Sequence, residues 1–156
     1  MPPLVNLYFD DFEVGARYPT RTRTITDEDH EAFCRLVGYD VPLFLDNGFA
    51  RGLGLPGRIC PSHLIMSFST AMTGDLFTGT VIALVAIDHA RFLAPVRPGD
   101  TIRTEVEVVE KRATSREDRG LVVFRDHVYN QHDQEVFCND KTVLVKTLPR
   151  PRTGNG

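Results

Sequence analysis

The sequence predicts an α+β fold in which an antiparallel sheet curls around one central apolar helix. Three observations support this prediction: a helix that is apolar around most of its circumference, one strand-like run before it and four after it. Such a helix has to be buried, and a sheet that wraps it is the economical way to bury it. The helix is expected over 62–75 and the strands over 18–25, 81–87, 101–109, 121–130 and 136–148.

The first strand and the first helix follow each other directly. Residues 18–25 alternate basic side chains with threonine, which is typical of a strand with a solvated face. Thr26 can cap the next helix, and Asp29 completes a variant of the capping box. Gly38 can adopt the left-handed conformation that ends a helix. His30 falls in the first turn, where a solvated side chain is expected.

The chain between the first and central helices is expected to be irregular. Residues 39–61 are rich in glycine and proline, and a short helix from Asp46 to Leu53 fits inside them. A long loop within a compact domain is usually functional. Ser62 is predicted to cap the central helix, which runs to about Asp75.

The strands after the central helix differ in character. Val81–Ile87 is uninterruptedly apolar, which predicts a strand buried on both faces. The last two strand-like runs are separated by a short polar turn and are expected to form a hairpin. We therefore predict a single domain over 1–148, followed by a flexible, proline- and arginine-rich tail over 149–156.

Composition argues against several classes of protein. The chain has 156 residues, 42% hydrophobic and 25% charged, which is ordinary for one soluble domain. A formal net charge of -3 argues against a general nucleic-acid-binding protein. No secretion signal or apolar run of membrane-spanning length is present, so a cytoplasmic protein without a membrane partner is expected.

The cysteines and histidines argue against a disulfide framework and a metal site. Cys34, Cys60 and Cys138 are odd in number and not closely paired, so a reducing compartment is favoured over a disulfide framework. None of the five histidines has the spacing of a metal site, and we expect neither a metal nor another cofactor.

Three segments together resemble the MaoC-like dehydratase, or (R)-specific enoyl-CoA hydratase, family. They are residues 8–15 with 26–29, residues 57–62, and residues 91–100, which read RFLAPVRPGD. The last is the most specific, because related proteins reuse its F-x-x-P-V-x-P-G-D core. The resemblance covers roughly residues 8–148.

The resemblance implies a hot-dog fold, dimers or pseudo-dimers of such units (a homodimer or a hot-dog heterodimer) and an acyl-CoA thioester as ligand. In the catalytic branch, a G-D-x-N-P-(apolar)-H loop supplies an Asp and a His that activate water for addition to a 2-enoyl thioester. Here the loop keeps Gly38 and Pro42. Tyr39, however, stands at the Asp position and Phe44 at the His position. A phenol is a poor base at neutral pH, and a phenyl ring transfers no proton.

The resemblance also indicates substrate-binding positions. Ser62 aligns with the family's glycine at the start of the central helix, so its backbone N–H could hold the thioester oxygen. Thr70, two turns later, matches a small hydroxyl position. Arginines that could pair with the phosphates of CoA, or simply be surface residues, are Arg58, Arg91, Arg97 and Arg112.

Several residues are candidates to replace the missing pair. His63 follows Ser62 directly and could act as a base, or be a surface histidine. Asp40 lies in the loop itself, whereas Asp46 could simply cap a helix. Further candidates, each with a structural alternative, are Asp88 with His89, and the thiol of Cys60.

Three functions remain open on the sequence. The chain could be an acyl-CoA hydratase that uses relocated groups. It could instead be a non-catalytic acyl-CoA-binding subunit, or a partner within a heteromeric hydratase. A hot-dog thioesterase is the third possibility. Residues 46–56 and 128–131 also resemble the mesaconyl-CoA hydratase and β-methylmalyl-CoA dehydratase branch, whose members pair hot-dog units.

Overall fold

A computed structural model describes residues 6–151, which form five strands and four helices, with two short 3-10 turns. The predicted tail over 149–156 lies mostly outside the described residues. The helices are α1 (Asp27–Val37), α2 (Pro42–Leu45), α3 (Asn47–Gly52) and α4 (Ser62–Thr73). The strands are β1 (Arg17–Thr24), β2 (Val81–Phe92), β3 (Thr101–Ala113), β4 (Arg119–Tyr129) and β5 (Glu135–Lys146).

The predicted α+β class is confirmed. All strands join one antiparallel sheet in the order β1-β3-β4-β5-β2, and the predicted hairpin is formed by β4 and β5. Helix α4 lies on one face of the sheet, against β3 and β1. None of the helices in the described part of the chain has the length and apolar character that a membrane crossing requires.

The ends of α1 are formed as the sequence predicts. The Thr26 hydroxyl accepts a hydrogen bond from the Asp29 N–H, and the Asp29 carboxylate accepts one from the Thr26 N–H, each at 3.0 Å. Gly38 ends the helix in the left-handed conformation, with φ of 76°. The short helix of the loop is also present, and the Asp46 side chain caps it by accepting from the Phe49 N–H at 3.0 Å.

The prediction that β2 is buried on both faces is wrong. Its side chains are exposed along most of the strand, including Leu84 at 46% and Ile87 at 41%. The strand lies at the edge of the sheet, and α4 packs instead on β3 and β1 and, through Thr73 and Lys141, on β5. An apolar run indicates side chains that are unfavourable in water, but no other element within residues 6–151 covers those of β2.

A layer of polar side chains crosses the core beneath α4, between two apolar clusters. Lys141 and Asp126 form its centre, with 2.6 Å between Nζ and Oδ2 and side chains that are 3% and 0% exposed. Lys141 also donates to the Thr73 hydroxyl at 3.0 Å. Burial raises the pKa of Asp126, and the Lys141 ammonium opposes that rise. The cluster on one side includes Leu64, Ile65, Val128 and Phe137. The cluster on the other side includes Phe12, Phe77, Val122 and Phe124.

Removal of one partner of this ion pair should destabilise the fold strongly, because it leaves a buried charge without compensation. We expect Lys141→Met to lower the free energy of unfolding by about 3–5 kcal/mol. Pairing it with Asp126→Leu should restore most of the loss. Urea denaturation at fixed protein concentration measures both. Lys146→Met, at the exposed end of the same strand, is the control. If Lys141→Met lowers the free energy of unfolding no more than Lys146→Met does, the prediction is contradicted.

Candidate functional site

Helix α4 begins beside a cavity of about 250 Å³, which we call the α4 cavity. A hydrogen bond of 2.7 Å from the Cys60 N–H to the Val96 carbonyl ties its two sides together. It is lined by Ile59, Cys60, Ser62, Ile65 and the segment Phe92–Val96. The segment that carries the most specific family resemblance therefore forms one wall of this cavity.

The start of α4 differs from the predicted cap. Pro61 occupies the cap position, Ser62 is the first helical residue, and no side chain accepts from the first turn. The N–H groups of a first helical turn have no acceptor within the helix and favour negative charge nearby. Ser62 therefore lines the α4 cavity as the first residue of the helix, the position where the resemblance implies a backbone N–H that holds the thioester oxygen.

Aromatic rings occupy the loop positions where the resemblance implies Asp and His. The Tyr39 and Phe44 rings meet edge to face, with centroids 5.3 Å apart. Phe33 of α1 lies 6.5 Å from Tyr39 on its other side. We call these three residues the aromatic cluster. The only polar side-chain atom in it is the Tyr39 hydroxyl, so the cluster itself holds no base.

The structure brings Tyr39 and His63 together. The Tyr39 hydroxyl oxygen lies 3.4 Å from Nδ1 of His63, at the outer limit of a hydrogen bond. His63 is exposed in the first turn of α4, next to Ser62, whereas Tyr39 is half-buried. Two of the sequence candidates, from segments 24 residues apart, therefore meet at one helix start.

Other predicted site residues lie elsewhere. Asp40 is exposed beside a second cavity on the α1 side of the loop, together with Cys34 and Arg35. Thr70 is half-buried on α4, two turns after the α4 cavity. Arg58 is held against α1 by ion pairs of 2.8 and 3.2 Å to two carboxylates, those of Asp27 and Glu31. Its guanidinium is therefore already engaged.

The end of β2 separates three further candidates from the α4 cavity. Phe92 faces the inner side of the sheet, where it stacks on Phe137 with centroids 4.6 Å apart. Arg91 and Asp88 pair with Cys138 and Asp140 on the opposite, outer face. Arg91, Asp88 and the adjoining His89 therefore do not converge on His63.

Cys60 is unsuited to act as a nucleophile. Its side chain is 3% exposed, and burial raises the pKa of the thiol to about 12. The thiol is therefore protonated at neutral pH, and a cysteine nucleophile acts as the thiolate. Of the two interpretations of Cys60, the structure favours the buried, inert one.

The expectation that His30 is solvated is wrong. The side chain is 0% exposed, because α1 packs its first turn against the loop that carries the aromatic cluster. Its Nε2 lies 2.7 Å from the backbone carbonyl of Phe44, to which it donates. Nδ1 has no partner among the described residues. His30 thus fixes the loop through its backbone, a role that helical periodicity alone does not indicate.

Comparison with known proteins identifies the family. The sequence profile of the family described as MaoC like domain matches residues 11–127. The chain belongs to this family. The resemblance inferred from the sequence is therefore confirmed over most of the chain.

Two curated relatives are similar to this MaoC-like chain. It is 30% identical to β-methylmalyl-CoA dehydratase of Chloroflexus aurantiacus, with 94% of this chain covered. It is 27% identical to mesaconyl-CoA hydratase of Cereibacter sphaeroides, with 89% covered. The matches cover 43% and 41% of those proteins, so the chain spans less than half their length.

Solved structures confirm the hot-dog fold. A monoamine oxidase regulatory protein from Archaeoglobus superposes with a TM-score of 0.84 at 30% identity, over 92% of this chain and 97% of that one. A Mycobacterium tuberculosis protein with a double hotdog fold gives a TM-score of 0.85 at 25% identity, over 96% of this chain and 47% of that one.

His30 should make the stability of the fold depend on pH. Burial lowers the pKa of His30 below its ordinary value of 6.5, so between the two values the unfolded chain binds a proton that the folded chain does not. The free energy of unfolding should therefore fall as the pH decreases below about 6.5. His30→Gln keeps a donor for the Phe44 carbonyl but cannot titrate, so it should flatten this part of the profile.

Urea denaturation between pH 5 and pH 7.5 measures the effect. His132→Gln is the matched control, because His132 is exposed on the turn between β4 and β5. Its profile should follow that of the wild-type protein. An unaltered slope in His30→Gln would show that the buried ring does not control this part of the pH dependence.

Proposed function

We propose that this chain is an acyl-CoA hydratase or dehydratase, a lyase in which His63 replaces the usual Asp and His pair. One observation carries the proposal: the Tyr39 hydroxyl lies 3.4 Å from Nδ1 of His63 at the start of α4. A thioester carbonyl held by the Ser62 N–H would then lie beside a titratable ring. The phenol at the former Asp position would orient that ring.

The orientation of the imidazole decides whether it can act as a base. If Nδ1–H donates to the Tyr39 oxygen, the lone pair of Nε2 is left free. Nε2 would take a proton from water while the water oxygen bonds to the β-carbon of a 2-enoyl thioester. The electron pair of the double bond moves toward the carbonyl, whose oxygen is held by the Ser62 N–H. Return of the proton from the His63 imidazolium to the α-carbon completes the addition, and dehydration is the reverse.

The relatives support a thioester substrate. Two of them are named for hydration or dehydration of CoA thioesters, β-methylmalyl-CoA and mesaconyl-CoA. The cavity that would hold the thioester is lined by residues from the two segments of resemblance, 57–62 and 91–100. Phe44, in place of a titratable histidine, would keep the loop side of the site apolar.

A second candidate function is a partner subunit of a hot-dog assembly. Strand β2 supports it, because its inward side chains lack a cover and the strand ends the sheet. The opposite edge differs in composition: β1 contains Pro19 and several arginines, whereas Val81–Ile87 of β2 is apolar. Proline and charge are features that discourage edge pairing. The pairing edge would therefore be β2, with a second copy or a different hot-dog chain.

His63 is required for turnover under the first candidate. The purified protein is incubated with crotonyl-CoA and with mesaconyl-CoA, and hydration is followed by loss of the conjugated thioester absorbance. His63→Ala should lower kcat roughly 10²- to 10⁴-fold, the usual contribution of a general base. Tyr39→Phe should lower it less, because it removes only the group that orients the ring. His132→Ala, on the exposed turn between β4 and β5, should change neither substrate's rate.

Other outcomes separate the candidates. Binding of acyl-CoA without turnover would exclude the first candidate and favour the partner subunit. Release of free CoA would indicate a thioesterase instead. Tyr39→Asp combined with Phe44→His restores the pair of the catalytic branch, and it should create hydration activity in a binding protein if the α4 cavity holds the thioester.

Leu84 tests whether β2 is an interface. Leu84 pairs with the buried Val143, so it faces inward, yet it is 46% exposed. Leu84→Lys should weaken self-association at least about tenfold, because a lysine charge is costly to bury. Sedimentation measures the shift from dimer to monomer. Leu36→Lys on α1, where the leucine is 84% exposed, should leave association unchanged. Equal effects of the two substitutions would refute the interface.

A further inference from the structure

The outer face of the sheet carries a pocket that the proposed reaction does not use. It has a volume of about 330 Å³ and lies where β2, β5 and β4 run side by side. We call it the outer pocket. Its lining residues are His89, Arg91, Arg125, Cys138, Asn139 and Asp140.

Arg125 and Asp140 form a rigid base for the outer pocket. The guanidinium donates two hydrogen bonds to the carboxylate, at 2.8 Å from Nε and 3.1 Å from Nη2. Arg125 thereby holds the pKa of Asp140 below its ordinary value. Asp140 is only 13% exposed, whereas Arg125 is 42% exposed and can still donate from the remainder of its guanidinium.

An irregularity in β2 turns His89 toward this pocket. The register against β5 shifts between Asp88 and Arg91, so β2 has one extra residue there. His89 adopts a φ of 53°, in the left-handed region that non-glycine residues rarely occupy. Its Nδ1 lies 3.4 Å from the Asp140 carboxylate. Bulges of this kind redirect side chains and are common next to binding sites.

Arg91 supplies a second guanidinium that is free for a ligand. Its side chain is exposed, and no carboxylate within residues 6–151 forms an ion pair with it. Asp88, opposite Asp140 in the register, shares the outer face but does not line the pocket. The lining thus contains two guanidinium groups and an imidazole against one carboxylate, and that carboxylate is already bound by Arg125.

We infer that the outer pocket binds a phosphate group, with Arg91 and Arg125 as its donors. Guanidinium groups match the geometry of phosphate oxygens in pairs of hydrogen bonds. Both a free phosphate and the phosphate of a CoA thioester present this chemistry.

The outer pocket lies close enough to the α4 cavity for a CoA thioester to supply the phosphate. Arg91 adjoins Phe92, which lines the α4 cavity on the other face of the same strand. Because β2 is the edge strand, an extended ligand could cross this edge of the sheet and reach both the α4 cavity and the outer pocket. The CoA source rests on the proposed function, whereas the phosphate site does not.

Titration calorimetry with inorganic phosphate and with adenosine 3′,5′-bisphosphate tests the site without any thioester. Both should bind, and Arg91→Ala should weaken binding roughly tenfold to a hundredfold, the contribution of hydrogen bonds to a charged group. Arg125→Lys should weaken it as well, because it loses the planar fork. Arg21→Ala is the matched control, since Arg21 is exposed and paired with Asp75 instead. Its binding should equal that of the wild-type protein.

Comparison of CoA with dephospho-CoA then identifies the source. If the wild-type protein binds dephospho-CoA more weakly than CoA, and Arg91→Ala binds the two equally, the outer pocket holds the CoA phosphate. Phosphate binding that CoA does not displace would assign it to free phosphate. Absence of anion binding, or equal binding by Arg91→Ala and the wild-type protein, would overturn the inference, whether or not the protein hydrates enoyl thioesters.

Discussion

One helix cannot cover a sheet of five strands, and much of this molecule follows from that constraint. Strands lie about 4.8 Å apart, so five of them span roughly 20 Å, whereas a helix with its side chains is about 10–12 Å wide. Helix α4 lies over β3 and β1 and reaches Lys141 of β5, so within residues 6–151 the inner face of β2 is left without a cover. The α4 cavity lies between the start of the helix and the end of that uncovered strand.

The sequence was sufficient to predict the fold class and the capping of α1, because both depend on local patterns. The failures involve long-range contacts. The apolar run of β2 was interpreted as burial, although burial depends on where α4 lies. His30 was expected in solvent, although the loop that covers it is separated from it in sequence. Neither outcome can be obtained from periodicity alone.

The candidate site could be predicted in part. The family resemblance identifies Ser62, Tyr39 and Phe44 by alignment, and His63 is a candidate because it follows Ser62 directly. The structure places Tyr39, its neighbour Phe44 and His63 at the start of α4. The resemblance could not indicate the contact between the Tyr39 hydroxyl and His63, because that contact depends on the side-chain rotamers of both residues. Arg58 illustrates the opposite case: a plausible phosphate ligand by residue type, it is engaged by two carboxylates of α1. Residue type alone does not show whether a charge is free.

The hydrogen bond from His30 to the loop has an evolutionary consequence. It ends on the backbone carbonyl of Phe44, so this contact does not depend on the side chain at that position. A histidine could become a phenylalanine there, or the reverse, by mutation without loss of the hydrogen bond that holds the loop. Loss of that histidine in such a lineage would therefore be reversible, and a scaffold of this kind can alternate between catalysis and binding while its fold is retained.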